Sequence, residues 1–62
     1  MNAMDDLPKQ NGFRFIGHTK SGVTLACAVH FDQRAGVFEQ YDCGTGEPIG
    51  ARLIGWTLRK PE

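Results

Sequence analysis

Hydrophobic and polar residues alternate without a break over residues 23–32. Val23, Leu25, Cys27, Val29 and Phe31 share one side, and Thr24, Ala26, Ala28, His30 and Asp32 share the other. A period of two sustained this long predicts a β-strand with one buried face. Residues 13–18 give a shorter strand with Phe13 and Phe15 on one side, residues 36–42 a third, and residues 49–59 a fourth that bends at Gly50 and Gly55. Residues 1–12 are polar and acidic and contain Pro8. They read as a flexible tail with one turn of helix at residues 3–7, too short to hold without docking. The expectation is a single all-β domain over residues 13–62: a four-stranded antiparallel meander curled into a small open barrel or a twisted sheet.

Two turns share one form. Thr19-Lys20-Ser21-Gly22-Val23 and Gln33-Arg34-Ala35-Gly36-Val37 both read as type I turns closed by a left-handed glycine. In that geometry Thr19 pairs with Val23, so Phe15 faces Cys27 and Phe13 faces Val29. Gln33 pairs with Val37, so Val29 faces Tyr41, Phe31 faces Glu39 and Cys27 faces Cys43. The expected core face is then Phe13, Phe15, Val23, Leu25, Cys27, Val29, Phe31, Val37 and Tyr41. For the last strand, setting Asp42 against Ile49 joins Glu39 to Arg52 and sends Ile54, Trp56 and Leu58 inward. A slip of one residue sends Ile49, Ala51 and Leu53 inward instead. The first register is preferred because Trp and Leu gain more from burial, and a bulge at Gly55 lets both sets contribute.

The opposite face carries Arg14, Ile16, His18, Thr24, Ala26, Ala28, His30, Phe38, Gln40 and Asp42. Ile16, Ala26, Ala28 and Phe38 make it more apolar than a sheet backed by water should be. An open sheet also has two edges to cover. Length adds to the case for a partner: the chain has 62 residues, and a domain of ~60 residues buries only about 60% of its unfolded surface. A homo-oligomer assembled through sheet face or edge is therefore expected.

Composition narrows the function. Lys and Arg number 7, as do Asp and Glu, so the net charge is zero. Zero charge argues against a protein built mainly to hold nucleic acid, where a basic surplus supplies most of the affinity. No apolar run is long enough to span a membrane, and residues 1–12 lack a signal-peptide pattern. The cysteines are Cys27 and Cys43, a number that suits a reducing cytoplasm better than a disulfide scaffold.

The candidate chemistry is sparse. Cys27 and Cys43 read as small packing residues. With His18 and His30 they do not make a zinc site, because both histidines fall on the face opposite Cys27. Neither histidine has a nucleophile or carboxylate placed to form a triad, although Asp32 or Asp42 lies near His30. Residues 42–47, Asp-Cys-Gly-Thr-Gly-Glu, contain G-x-G without the following helix that would make a phosphate site. Arg14, His18 and Lys20 form a basic stripe, and Arg59 and Lys60 a basic end.

The sequence therefore points to a non-enzymatic interaction protein without cofactor or metal, an inhibitor or accessory factor for an unidentified protein partner. Its expected contact residues are Ile16, Phe38, Trp56, Asp42 and Glu47. The alternative is a small nucleic-acid binder using Arg14, His18, Lys20 and Phe38. An enzyme would need a site shared between subunits, since one chain this short does not enclose a pocket of ordinary size.

Overall fold

The computed structural model describes residues 1–59; Lys60, expected to add to the basic end, lies outside them. Four antiparallel strands form one open sheet: β1 (Arg14–Thr19), β2 (Thr24–Asp32), β3 (Val37–Asp42) and β4 (Leu53–Leu58), in the order β3-β2-β1-β4. Short 3₁₀ turns occupy Met4–Asp6 and Gly50–Arg52. Among the described residues no helix is long and apolar enough to cross a membrane.

The first hairpin has the expected register. Phe15 sits opposite Cys27 and Arg14 opposite Ala28. The Thr19 hydroxyl donates to the Val23 carbonyl at 2.9 Å, and the Gly22 N–H donates to the Thr19 carbonyl at 3.0 Å. Thr19 is thus a buried polar residue whose hydroxyl is satisfied by the turn it closes.

The second hairpin differs from expectation by one residue. Asp32 pairs with Val37, Phe31 with Phe38, Val29 with Gln40, Ala28 with Tyr41 and Cys27 with Asp42. The cause is a side chain. Asp32 Oδ1 accepts the Arg34 and Ala35 N–H groups at 2.9 and 3.3 Å, and the Asp32 carbonyl accepts the Gly36 N–H at 2.8 Å. The carboxylate starts the turn one residue earlier than Gln33, which stands where Thr19 stands in the first hairpin. Gly36 closes the turn at φ 69°, a conformation that costs glycine little.

The same device recurs ten residues on. Asp42 Oδ1 accepts Gly44 and Thr45 N–H at 2.7 and 3.3 Å, the Asp42 carbonyl accepts Gly46 N–H at 2.8 Å, and Gly46 has φ 76°. This third turn lays residues 47–49 along the outer edge of β3: Asp42 N–H donates to Glu47, Tyr41 bridges Pro48, and Ile49 N–H donates to Gln40. The chain then turns through Gly50–Arg52 and runs as β4 beside β1. The expected Asp42–Ile49 and Glu39–Arg52 pairings are replaced by these.

In β4 a register shift falls between the partners of His18 and Thr19, which are Gly55 and Leu53. Ile54 is the extra residue, next to the Gly55 bulge allowed by the sequence. Members of both alternative apolar sets therefore enter the core: Ile49 and Leu53 from one, Trp56 from the other. Ile54 is turned out, and Leu58, at the strand end, is also exposed.

Phe15, Cys27 and Val29 are the most completely buried side chains, joined by Leu7, Ile49, Leu53 and Trp56. Gly17 lies at the centre of this packing, where a Cβ would come within 2.7 Å of Leu53 Cδ2 and 2.9 Å of Cys27 Sγ. Val23 and Val37, expected in the core, are exposed. Val23 sits beside a turn, and Val37 points outward through the register change.

The segment read as a tail lies across the open side of the sheet. Leu7 enters the core and Met4 packs against it. Asn2 and Trp56 exchange backbone hydrogen bonds at 2.7 and 3.0 Å, which covers part of the β4 edge. Gly55 admits this crossing, since a Cβ there would meet Met1 Sδ at 2.5 Å and the Asn2 carbonyl at 2.9 Å. The edges expected to be free thus each carry a short paired segment, residues 47–49 on β3 and Asn2 on β4.

Candidate interaction surfaces

The changed register moves the expected contact residues. Phe38 lies on the core side, half-buried against the hydrophobic core, with its ring 5.0 Å from that of Phe31. It does not share a face with Arg14 and His18, and Lys20 lies in the turn after β1, so the aromatic of the nucleic-acid alternative is separated from its basic stripe. Trp56 is a core residue at 7% exposure. Its ring meets Phe13 and Phe15 edge-on, with centroids 5.7 and 6.4 Å away. The structure therefore corrects its expected place among surface contacts. The Asp42 carboxylate is engaged in its own turn, while Glu47 is exposed beside Pro48. Ile16 keeps its expected position, half-buried on the outer face between Ala26 of β2 and Thr57 of β4.

Two surfaces result. The first is a groove on the core side that opens on both flanks of Phe38. One flank is a cavity of about 370 Å³ lined by Leu7, Pro8, Lys9, Val29, Val37 and Gln40. The other, of about 330 Å³, is lined by Glu39, Gln40, Pro48, Gly50 and Ala51. Gly50 brings the last turn close to Gln40, whose side-chain amide a Cβ at Gly50 would strike. The groove is mostly apolar, with Lys9 at one end and exposed Glu47, next to Pro48, near the other.

The second surface is the outer face of the sheet. Arg14, Ala28 and Tyr41 lie in one row across three strands. With His30, Cys43 and Gly46 they border a shallow depression of about 390 Å³. The His30 and Tyr41 rings meet edge-to-face, with centroids 5.9 Å apart, and form the wall between it and a neighbouring hollow reaching Asn11 and Arg34. His30 stands opposite Glu39. The Tyr41 hydroxyl donates to Glu39 Oε2 at 3.1 Å, and that hydrogen bond holds its proton above the usual phenol range. His18 Nε2 lies 3.0 Å from Thr57 Oγ1, tying β1 to β4 on this face. Tyr41, like Phe38 and Val37, lies on the side opposite to that expected from the sequence, and the Asp32 turn is the signal that places all three.

Cys27 and Cys43 are unbonded, the first buried and the second exposed in the third turn. Burial pushes the Cys27 thiol up from its ordinary value, against a lowering from a backbone hydrogen bond with Gly17. No protein-family model, curated protein or solved structure matches the chain.

Proposed function

We propose that this is a small non-enzymatic interaction protein that docks on another protein through the groove at Phe38 and regulates it, as an inhibitor or accessory factor. The observation that carries the reading is the state of Phe38. It faces the core, yet it is left half-exposed with open apolar space on both flanks. Aromatic side chains at such openings are where binding energy concentrates. The groove supplies apolar contact, the Gln40 amide, and charges of opposite sign at its two ends. It suits an apolar anchor side chain flanked by a basic residue that reaches Glu47, the Glu39 carboxylate being engaged by Tyr41 on the other face. We place the protein in the cytoplasm, in keeping with its two unpaired thiols.

Ala51 is exposed on the groove wall, so Ala51→Arg fills the groove without touching the core. Tagged wild-type protein is expected to retain a specific partner from extract of its native host, and the Ala51→Arg protein to lose it. Equal capture by both, or no specific capture by the wild type, overturns the reading.

A second reading, single-stranded nucleic acid, draws on Arg14 and Tyr41 facing each other across Ala28, with His18 and Lys20 beyond. Glu39 and Asp32 beside Tyr41 and His30 weigh against it. Oligonucleotide binding that falls steeply with salt would favour it.

A further inference from the structure

The outer face of the sheet has a charge pattern that fits itself. Its β1 column carries Arg14, Ile16 and His18, and its β3 column carries Val37, Glu39 and Tyr41. Between them β2 presents Ala26 and Ala28 at the centre. Basic groups thus lie on one flank and an acid bonded to a tyrosine on the other, in a chain of zero net charge. The other surfaces of the sheet are largely covered: the core face, outside the groove at Phe38, by the chain's own first residues and residues 49–53, and each edge in part by a paired segment.

Sheets that pack face to face in the aligned class keep their strand directions within about 30° of one another. Two copies related by a two-fold axis then have two choices. An axis across the strands lays β1 over β1 of the second copy and brings Arg14 near Arg14 or His18, which is repulsive. An axis along β2 lays β1 of each copy over β3 of the other. Arg14 then lies over the Tyr41 ring of the second copy, within side-chain reach of Glu39, and the contact occurs twice by symmetry. Ala26 and Ala28 meet across the axis, where their small side chains let the sheets close, and exposed His30, next on the same face, meets its own copy beyond Ala28, beside Glu39 of its own chain.

We infer that the protein forms a two-fold dimer through this outer face, with β2 along the axis and Arg14 of each copy on the Tyr41–Glu39 pair of the other. The dimer is independent of the groove at Phe38, which stays open on the far side of each sheet.

Charge exchange tests this directly. Arg14 is exposed, and Glu39 has one side-chain hydrogen bond, to Tyr41, so substitution at either leaves the core untouched. The wild type is expected to sediment at twice 6.9 kDa. Arg14→Glu alone and Glu39→Arg alone are expected to sediment as monomers, because each places like charges together twice. An equimolar mixture of the two is expected to recover the dimer, as is the chain carrying both substitutions, while circular dichroism shows strand throughout. A monomeric wild type, dimers that persist in either single variant, or a mixture that stays monomeric would each overturn the inference.

Discussion

The indole N–H of Trp56 donates to the carbonyl of Ala3 at 2.9 Å, joining residues 53 apart in the chain. Together with the Asn2 bridge, this bond closes the first residues over a core that the four strands leave open on one side. In a domain this small the closure contributes a large share of total stability.

Leu7→Ala is therefore expected to destabilise the protein by about 2–5 kcal/mol, the range for removing a buried leucine side chain. Urea denaturation measures it. Trp56→Phe keeps an aromatic ring but loses the bond to Ala3, worth about 1 kcal/mol, and part of the buried indole's packing besides. Its more specific consequence is faster hydrogen exchange at the Asn2 amide, which is bonded to the Trp56 carbonyl.

Gly17→Ala is expected to cost about 1–3 kcal/mol, because the added methyl overlaps Leu53 and Cys27. Combining it with Cys27→Ala removes the clash with Sγ and leaves that with Leu53. The double variant should then be more stable than the sum of the single changes implies, a coupling that a double-mutant cycle resolves.

The paired turns make a further test. Asp32→Ala and Asp42→Ala each remove an acceptor of two backbone N–H groups, with an expected loss on the order of 1 kcal/mol apiece. Asp→Asn at either site retains the accepting oxygen and should lose less. Thermal unfolding of the four variants checks the order.

Cys27 gives the pH dependence. Its thiol titrates higher in the folded protein than in the unfolded chain, so the contribution is intact below the ordinary value of 9.0. Above that pH the unfolded chain ionises first, and stability falls as pH rises through the folded value. Urea midpoints measured on either side of pH 9.0 should show this decline, and Cys27→Ala should lack it. Alkylation of the native protein should modify exposed Cys43 and spare buried Cys27 until the chain unfolds.

The sequence made β2 and the first hairpin legible because alternation and a threonine-closed turn act locally. The second register was hidden by a likeness between two turns, x-basic-small-Gly-Val, that ignored the residue before them. Asp32 decides that turn and His18 does not decide the other. Comparing residues 32–36 with residues 42–46 reveals the shared Asp-x-x-x-Gly frame, and this frame, rather than the preceding glycine pattern, sets which side Phe38 and Tyr41 take. The place of β4 beside β1 and the docking of Leu7 depend on contacts between distant parts of the chain, which no local pattern encodes.

Both surfaces follow from that one-residue choice between β2 and β3. Cross-strand nuclear Overhauser effects decide it. Contacts linking Ala28 to Tyr41 and the Phe31 ring to the Phe38 ring are expected. Contacts pairing Val29 with Tyr41 and Phe31 with Glu39 would turn Phe38 outward, close the groove and dissolve the Arg14–Ala28–Tyr41 row.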